Sequence, residues 1–123
     1  MGVSEPLIQT SLLGEAIENG PVAVLVADEH GRYVAVNLAA CHLLGYTREE
    51  LLTKRATDVA RYEEAPAAWA EMELQGSQTG VSTVTRKDGS TVEFAYVAGA
   101  TVVAGMPVFV SVGTTATTQS KRS

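Results

Sequence analysis

A chain of 123 residues with 46% hydrophobic side chains has room for one folded core and is too apolar to remain disordered. Its net charge of −5, with cations adjacent at most in pairs such as Lys54-Arg55 and Lys121-Arg122, argues against nucleic acid as a partner, because phosphate contacts need clustered Lys and Arg. A lone cysteine excludes an internal disulfide, the first residues lack a signal peptide's basic and apolar regions, and no apolar run reaches the roughly 18 residues of a membrane span, so a cytoplasmic protein is expected.

Residues 7–18 predict an amphipathic helix. Ile8, Leu12 and Ala16 recur at i, i+4 and i+8, with Leu13 and Ile17 beside them and Gln9, Glu15 and Glu18 elsewhere. Asn19-Gly20-Pro21 stops it. Residues 22–27 have the β-branched density of a strand, residues 32–36 resemble it, and Asp28-Glu29-His30-Gly31 between them is hairpin chemistry. Asn37 is placed as the N-cap of a helix carrying Leu38, Ala40, Leu43 and Leu44, which Gly45 ends. Thr47-Arg48-Glu49-Glu50 is a capping box opening a further helix with Leu51 and Leu52.

Short helix and turn follow over 53–64, with Val59 and Tyr62 as inward anchors. A longer helix spans 65–75, with Pro66 in its first turn and Ala65, Trp69 and Met72 on one face. Three strands complete the pattern. Residues 80–87 lead into the Asp88-Gly89 turn, and 91–103 carry Val92, Phe94 and Tyr96 on one face, with a bend or bulge expected at Ala98-Gly99-Ala100. After a turn at 104–107, Val108, Val110 and Val112 alternate with Phe109 and Ser111. Beyond Gly113 the chain turns polar, and residues 114–123 are expected to form a disordered tail.

A β-β-α-α-α-β-β-β order with short connections predicts an α+β fold: a five-stranded antiparallel sheet with helices on one face and an N-terminal amphipathic helix. The succession Gly20-Pro21, Asp28 to Gly31, Asn37, Ala39-Ala40, Leu44-Gly45-Tyr46 and Thr47 to Leu52, with Arg86-Lys87-Asp88-Gly89-Ser90 later, resembles a PAS domain. The resemblance covers about residues 10–113, with the domain proper at 20–113 and residues 1–19 as a cap helix. It implies a sensory and interaction module whose long helix at 65–75 lies across the sheet and walls a ligand pocket. The pocket candidates are Val26, Val36, Leu44, Trp69, Met72, Phe94, Tyr96 and Val110. The cap helix, through Ile8, Leu12, Leu13 and Ile17, either folds onto its own sheet or forms a homodimer contact.

Reactive chemistry finds little support. In light–oxygen–voltage relatives the flavin-reactive cysteine lies in an Asn-Cys-Arg-Phe-type motif on a later helix. Cys41 instead precedes His42 on an early helix and reads as a small buried residue. Residues 63–75 hold no histidine to ligate haem, and two histidines with one cysteine lack zinc-site spacing. Trp69 either fills the core or packs on a bound flavin or another apolar or aromatic ligand. No nucleophile elbow, phosphate loop or isolated carboxylate pair occurs, so no enzyme, haem, reactive flavin or metal is expected. The last strand also lacks the Asp-Ile-Thr exit that leads into coiled-coil effectors, which leaves a free-standing module or a chain continuing into another domain. The expected function is ligand or partner-protein binding with signalling by association, in transcriptional or two-component regulation; the alternative is a dimerisation module without a ligand.

Overall fold

The computed structural model describes residues 6–59 and 77–116. Helix α1 (Pro6–Asn19) starts at a proline, whose fixed φ suits a first turn. It closes tightly: a Cβ on Gly20 would lie 2.5 Å from the Ala16 carbonyl oxygen, so the chain can leave the helix here only without a side chain. Strands β1 (Ala23–Asp28) and β2 (Tyr33–Val36) follow as an antiparallel pair. At their turn, Asp28 Oδ1 accepts from the main-chain N–H groups of His30 at 2.9 Å and Arg32 at 3.0 Å. Gly31 takes a φ of 81° there.

Helix α2 (Leu38–Leu44) is capped by Asn37 and ended by Gly45 at φ 80°. Helix α3 (Arg48–Leu51) begins with the reciprocal Thr47–Glu50 capping box, and α4 (Ala56–Val59) is a single turn. Strands β3 (Ser77–Thr85), β4 (Thr91–Val103) and β5 (Met106–Thr115) complete an antiparallel sheet in the order β2-β1-β5-β4-β3. The expected α+β architecture is present. The helix expected at 65–75, and with it Trp69 and Met72, lies outside the described residues, as do Tyr62 and 117–123.

Directly paired residues on antiparallel strands share a face. Ala23, Leu25 and Ala27 of β1 are buried on the side that α2 covers, together with Tyr33 and Val36 of β2. Their cluster takes in Ala40, Cys41, Leu44, Leu51, Val59, Val84 and Phe94. A second cluster joins Ala98 to Phe109, with Tyr96 against both clusters. Asn37 is the one buried polar side chain among the described residues.

Two local expectations change. The pairing of β4 runs unbroken through Gly99, which faces Ser77 on one side and Val110 on the other; the irregularity lies between Val26 and Ala27 instead. The small residues at 98–100 serve close packing, since Ala98 must admit the Phe109 ring. Thr114 and Thr115, assigned by composition to a tail, are strand residues paired with Ala95 and Phe94. Threonine suits a pleated strand, so polarity alone misplaced the boundary.

Candidate functional site

The sheet separates the eight pocket candidates. Val36, Leu44 and Phe94 are buried together on the helix-covered face, with Tyr96 packed against them. The Phe94 and Tyr96 rings are stacked at a centroid distance of 6.2 Å. Val26 and Val110 pair with each other across β1 and β5 on the opposite face, so they cannot line a pocket with the other four. The sequence could not have shown this. Residues 22–27 read Val-Ala-Val-Leu-Val-Ala, apolar on both faces, and the buried side is decided by where α2 lands.

The outer face thereby becomes a surface of interest. The pairings Val24↔Val112, Val112↔Val97 and Val26↔Val110 set a band of valines across β1, β5 and β4. Val97 is 57% exposed and Val112 38%, and Val81 of β3, opposite Ala95, is 56% exposed. Glu93 on β4 is the charged residue at that band's β3 side, paired with Thr83.

Helix α1 presents a second apolar surface. No residue in it is buried, and Leu7, Leu13, Leu12 and Ile17 are 79%, 63%, 51% and 48% exposed; Ile8 is half-buried. The helix is held at its C-terminal end. Asn37 Nδ2 donates to the Ile17 carbonyl at 2.6 Å, and the Arg48 guanidinium pairs with the Glu18 carboxylate. Sequence reading identified Asn37 as a cap but missed this junction, whose acceptor is a main-chain carbonyl that no residue type advertises.

Among the described residues, the cysteine and the two histidines stand apart from one another's chemistry. Burial pushes the Cys41 thiol above its usual range, opposed by the nearby Arg48 charge and reinforced by Glu18, so it stays protonated at neutral pH. The His30 side chain is 74% exposed beside Glu29. His42 lines two open grooves. One, about 470 Å³, runs between the end of α1, helix α2 and the end of β5; the other, about 500 Å³, lies beside Arg86, Lys87 and Asp88. Neither contains a pocket candidate. Among the described residues, no group of His, Cys, Asp and Glu is placed to hold a metal, and no helix is long and apolar enough to cross a membrane.

The family profile for PAS domains matches residues 21–113. The chain belongs to the PAS-domain family. Solved PAS domains share its fold. One from a two-component sensor histidine kinase has a TM-score of 0.79 at 16% identity, covering 90% of this chain and 99% of that one. The PAS domain of an HTR-like protein from Haloarcula marismortui has a TM-score of 0.77 at 22% identity, covering 87% and 91%. A domain of a sensory box sensor histidine kinase/response regulator from Geobacter sulfurreducens has a TM-score of 0.76 at 21% identity, covering 91% and 98%. No curated protein matches the sequence. PAS domains are sensory and signalling modules, and this one shares their sheet and helix order.

Proposed function

We propose that this PAS domain is a non-catalytic sensory module that signals by self-association through α1. The observation that carries the reading is the exposure of α1: Leu7, Leu12 and Leu13 are each more than half exposed, and nothing in the helix is buried. A helix of 14 residues is marginal in water without packing, so an apolar stripe left open calls for a partner. A two-fold dimer is the commonest way to supply one, and the valine band of the outer sheet face offers a matching apolar surface. Ile8, Leu12, Leu13 and Ile17 are the proposed contact residues.

Light scattering over a dilution series tests this. The wild type is expected to run as a dimer, and Leu12→Glu with Leu13→Glu as a folded monomer. A wild type that stays monomeric at high concentration ends the reading.

The sensory input is proposed to be a small apolar ligand or a partner protein received on the helix-covered face near Val36, Leu44, Phe94 and Tyr96. Supporting this are the stacked Phe94 and Tyr96 rings and the absence of charge between Phe94 and Val112. The second reading is a dimerisation module with no ligand. An absorption scan of fresh protein is expected to show neither a Soret band nor a structured flavin band near 450 nm, and either band would count against the expectation of no haem and no reactive flavin.

A further inference from the structure

We propose that Arg48 is a latch that sets the direction of α1 from the position of α3 and β2. This rests on the reading of α1 as the association helix and names how that site is controlled. Arg48 begins α3 and reaches two ways: its Nε donates to the Val36 carbonyl at 3.2 Å, and its terminal nitrogen pairs with Glu18 in the last turn of α1. Those two acceptors belong to different parts of the domain. Val36 is the end of β2, with its side chain in the core beside Leu44 and Leu51, whereas Glu18 sits on a helix with no buried residue. The guanidinium therefore ties a solvent-facing helix to the geometry of the core.

A second side-chain bond from the core to the helix runs from Asn37 to the Ile17 carbonyl. Both anchors lie within the last turn. Leu7 is about 15 Å along the helix axis from Ile17, so a small rotation at the anchors is multiplied at the exposed apolar end. A shift of α3 against β2 moves the Arg48 head group and carries Glu18 with it. Arginine suits the task because its rigid, planar fork presents Nε and a terminal nitrogen to two acceptors at once, whereas a lysine ammonium is a compact point charge. Arg48 and Glu18 side chains are 42% and 39% exposed, so either can be changed without opening the core.

Hydrogen exchange of the full chain, followed by mass spectrometry, tests the latch with wild type, Glu18→Gln, Arg48→Gln and the double variant. Peptides from α1 are expected to exchange about two- to five-fold faster in each single variant, the range of an exposed ion pair, and no faster in the double than in the faster single. Peptides from β4 and β5 keep wild-type rates. Unchanged exchange in α1, additive effects in the double variant, or equal acceleration across β4 and β5 would each overturn the latch. Sedimentation equilibrium on the same samples separates the two readings. A wild type that associates while the single variants associate more weakly supports the coupling, and equal association overturns it. A monomeric wild type removes self-association and leaves exchange to decide the latch.

Discussion

The side-chain amide of Asn37 donates to the Ile17 carbonyl at 2.6 Å, joining the core to a helix 20 positions earlier. The same Nδ2 donates to the Val22 carbonyl at 2.9 Å, while Oδ1 accepts from the N–H groups of Val24 at 2.9 Å and Ala40 at 3.1 Å. One buried amide thus closes the exit of α1, fixes the first residues of β1 and caps α2. Asparagine alone among the good N-cap residues supplies two donors beside its acceptor.

Asn37→Ala should therefore cost more than a cap, on the order of 3 kcal/mol, because it strands several part-buried polar groups at once. Asn37→Asp discriminates further. An aspartate caps as well as asparagine, yet it sets a carboxylate against the Val22 and Ile17 carbonyls. Urea denaturation should find the Asn37→Asp variant destabilised by at least about 1 kcal/mol, and equal stability with the wild type would mean the cap alone matters.

Two glycines should respond oppositely to alanine. A Cβ on Gly113 would collide with the Ala95 carbonyl oxygen and come within 3.0 Å of the Phe94 ring, where main chain and a buried ring cannot yield. Gly113→Ala should destabilise by roughly 2–3 kcal/mol, as overpacking of a core does. Gly14 lies inside α1 with nothing within 4 Å, so Gly14→Ala should stabilise that helix by about 0.5–1 kcal/mol. Helical circular dichroism and a melting curve on each variant check both signs.

Much of this fold was legible because its punctuation is local. Asp28 to Gly31, Asn37 in its capping of α2, Gly45 and the Thr47 to Glu50 box each act within about four residues, and each appears where its chemistry requires. What stayed hidden depends on distant partners. Val26 and Val110 were placed with the pocket candidates because strands with two apolar faces give periodicity no preferred side. Thr114 and Thr115 looked like tail because their strand partners Ala95 and Phe94 lie about 20 residues away, out of reach of a window. The Arg48–Glu18 tie spans 30 positions and joins two residue types that abound on any surface, so nothing marks it in advance.

The β4–β5 turn holds a correctable strain. Ala104 has φ 52° and Gly105 φ 78°, both in the left-handed region that a two-residue hairpin of this hand demands. Gly105 tolerates it, whereas an alanine Cβ costs about 1 kcal/mol there. Ala104→Asn, giving the favoured Asn-Gly pair, should raise stability by about 0.5–1 kcal/mol with no change in fold. A variant that melts at or below the wild-type temperature would show that the turn's geometry is set from elsewhere.

The acid response should come from surface turns and caps. The Glu50 carboxyl is held below its ordinary value first by the Lys87 ammonium at 2.6 Å and then by the Thr47 N–H. Asp88 is lowered by the hydroxyl and N–H of Ser90. At Asp28, burial acts upward, but the N–H groups of Arg32 and His30 outweigh it, and the net shift is downward. A carboxyl with a depressed folded value contributes its full stability where both folded and unfolded chains are ionised. As pH falls through about 4, the unfolded chain takes up protons first and the contribution fades. Urea midpoints should thus stay level from pH 8 to about 5 on account of these groups and decline below. Asp28→Asn can still accept in the turn through its amide oxygen but cannot titrate. Its stability deficit should be largest at pH 7 and should shrink toward pH 3. A deficit that stays constant over that range would mean that the Asp28 charge contributes nothing beyond an uncharged acceptor.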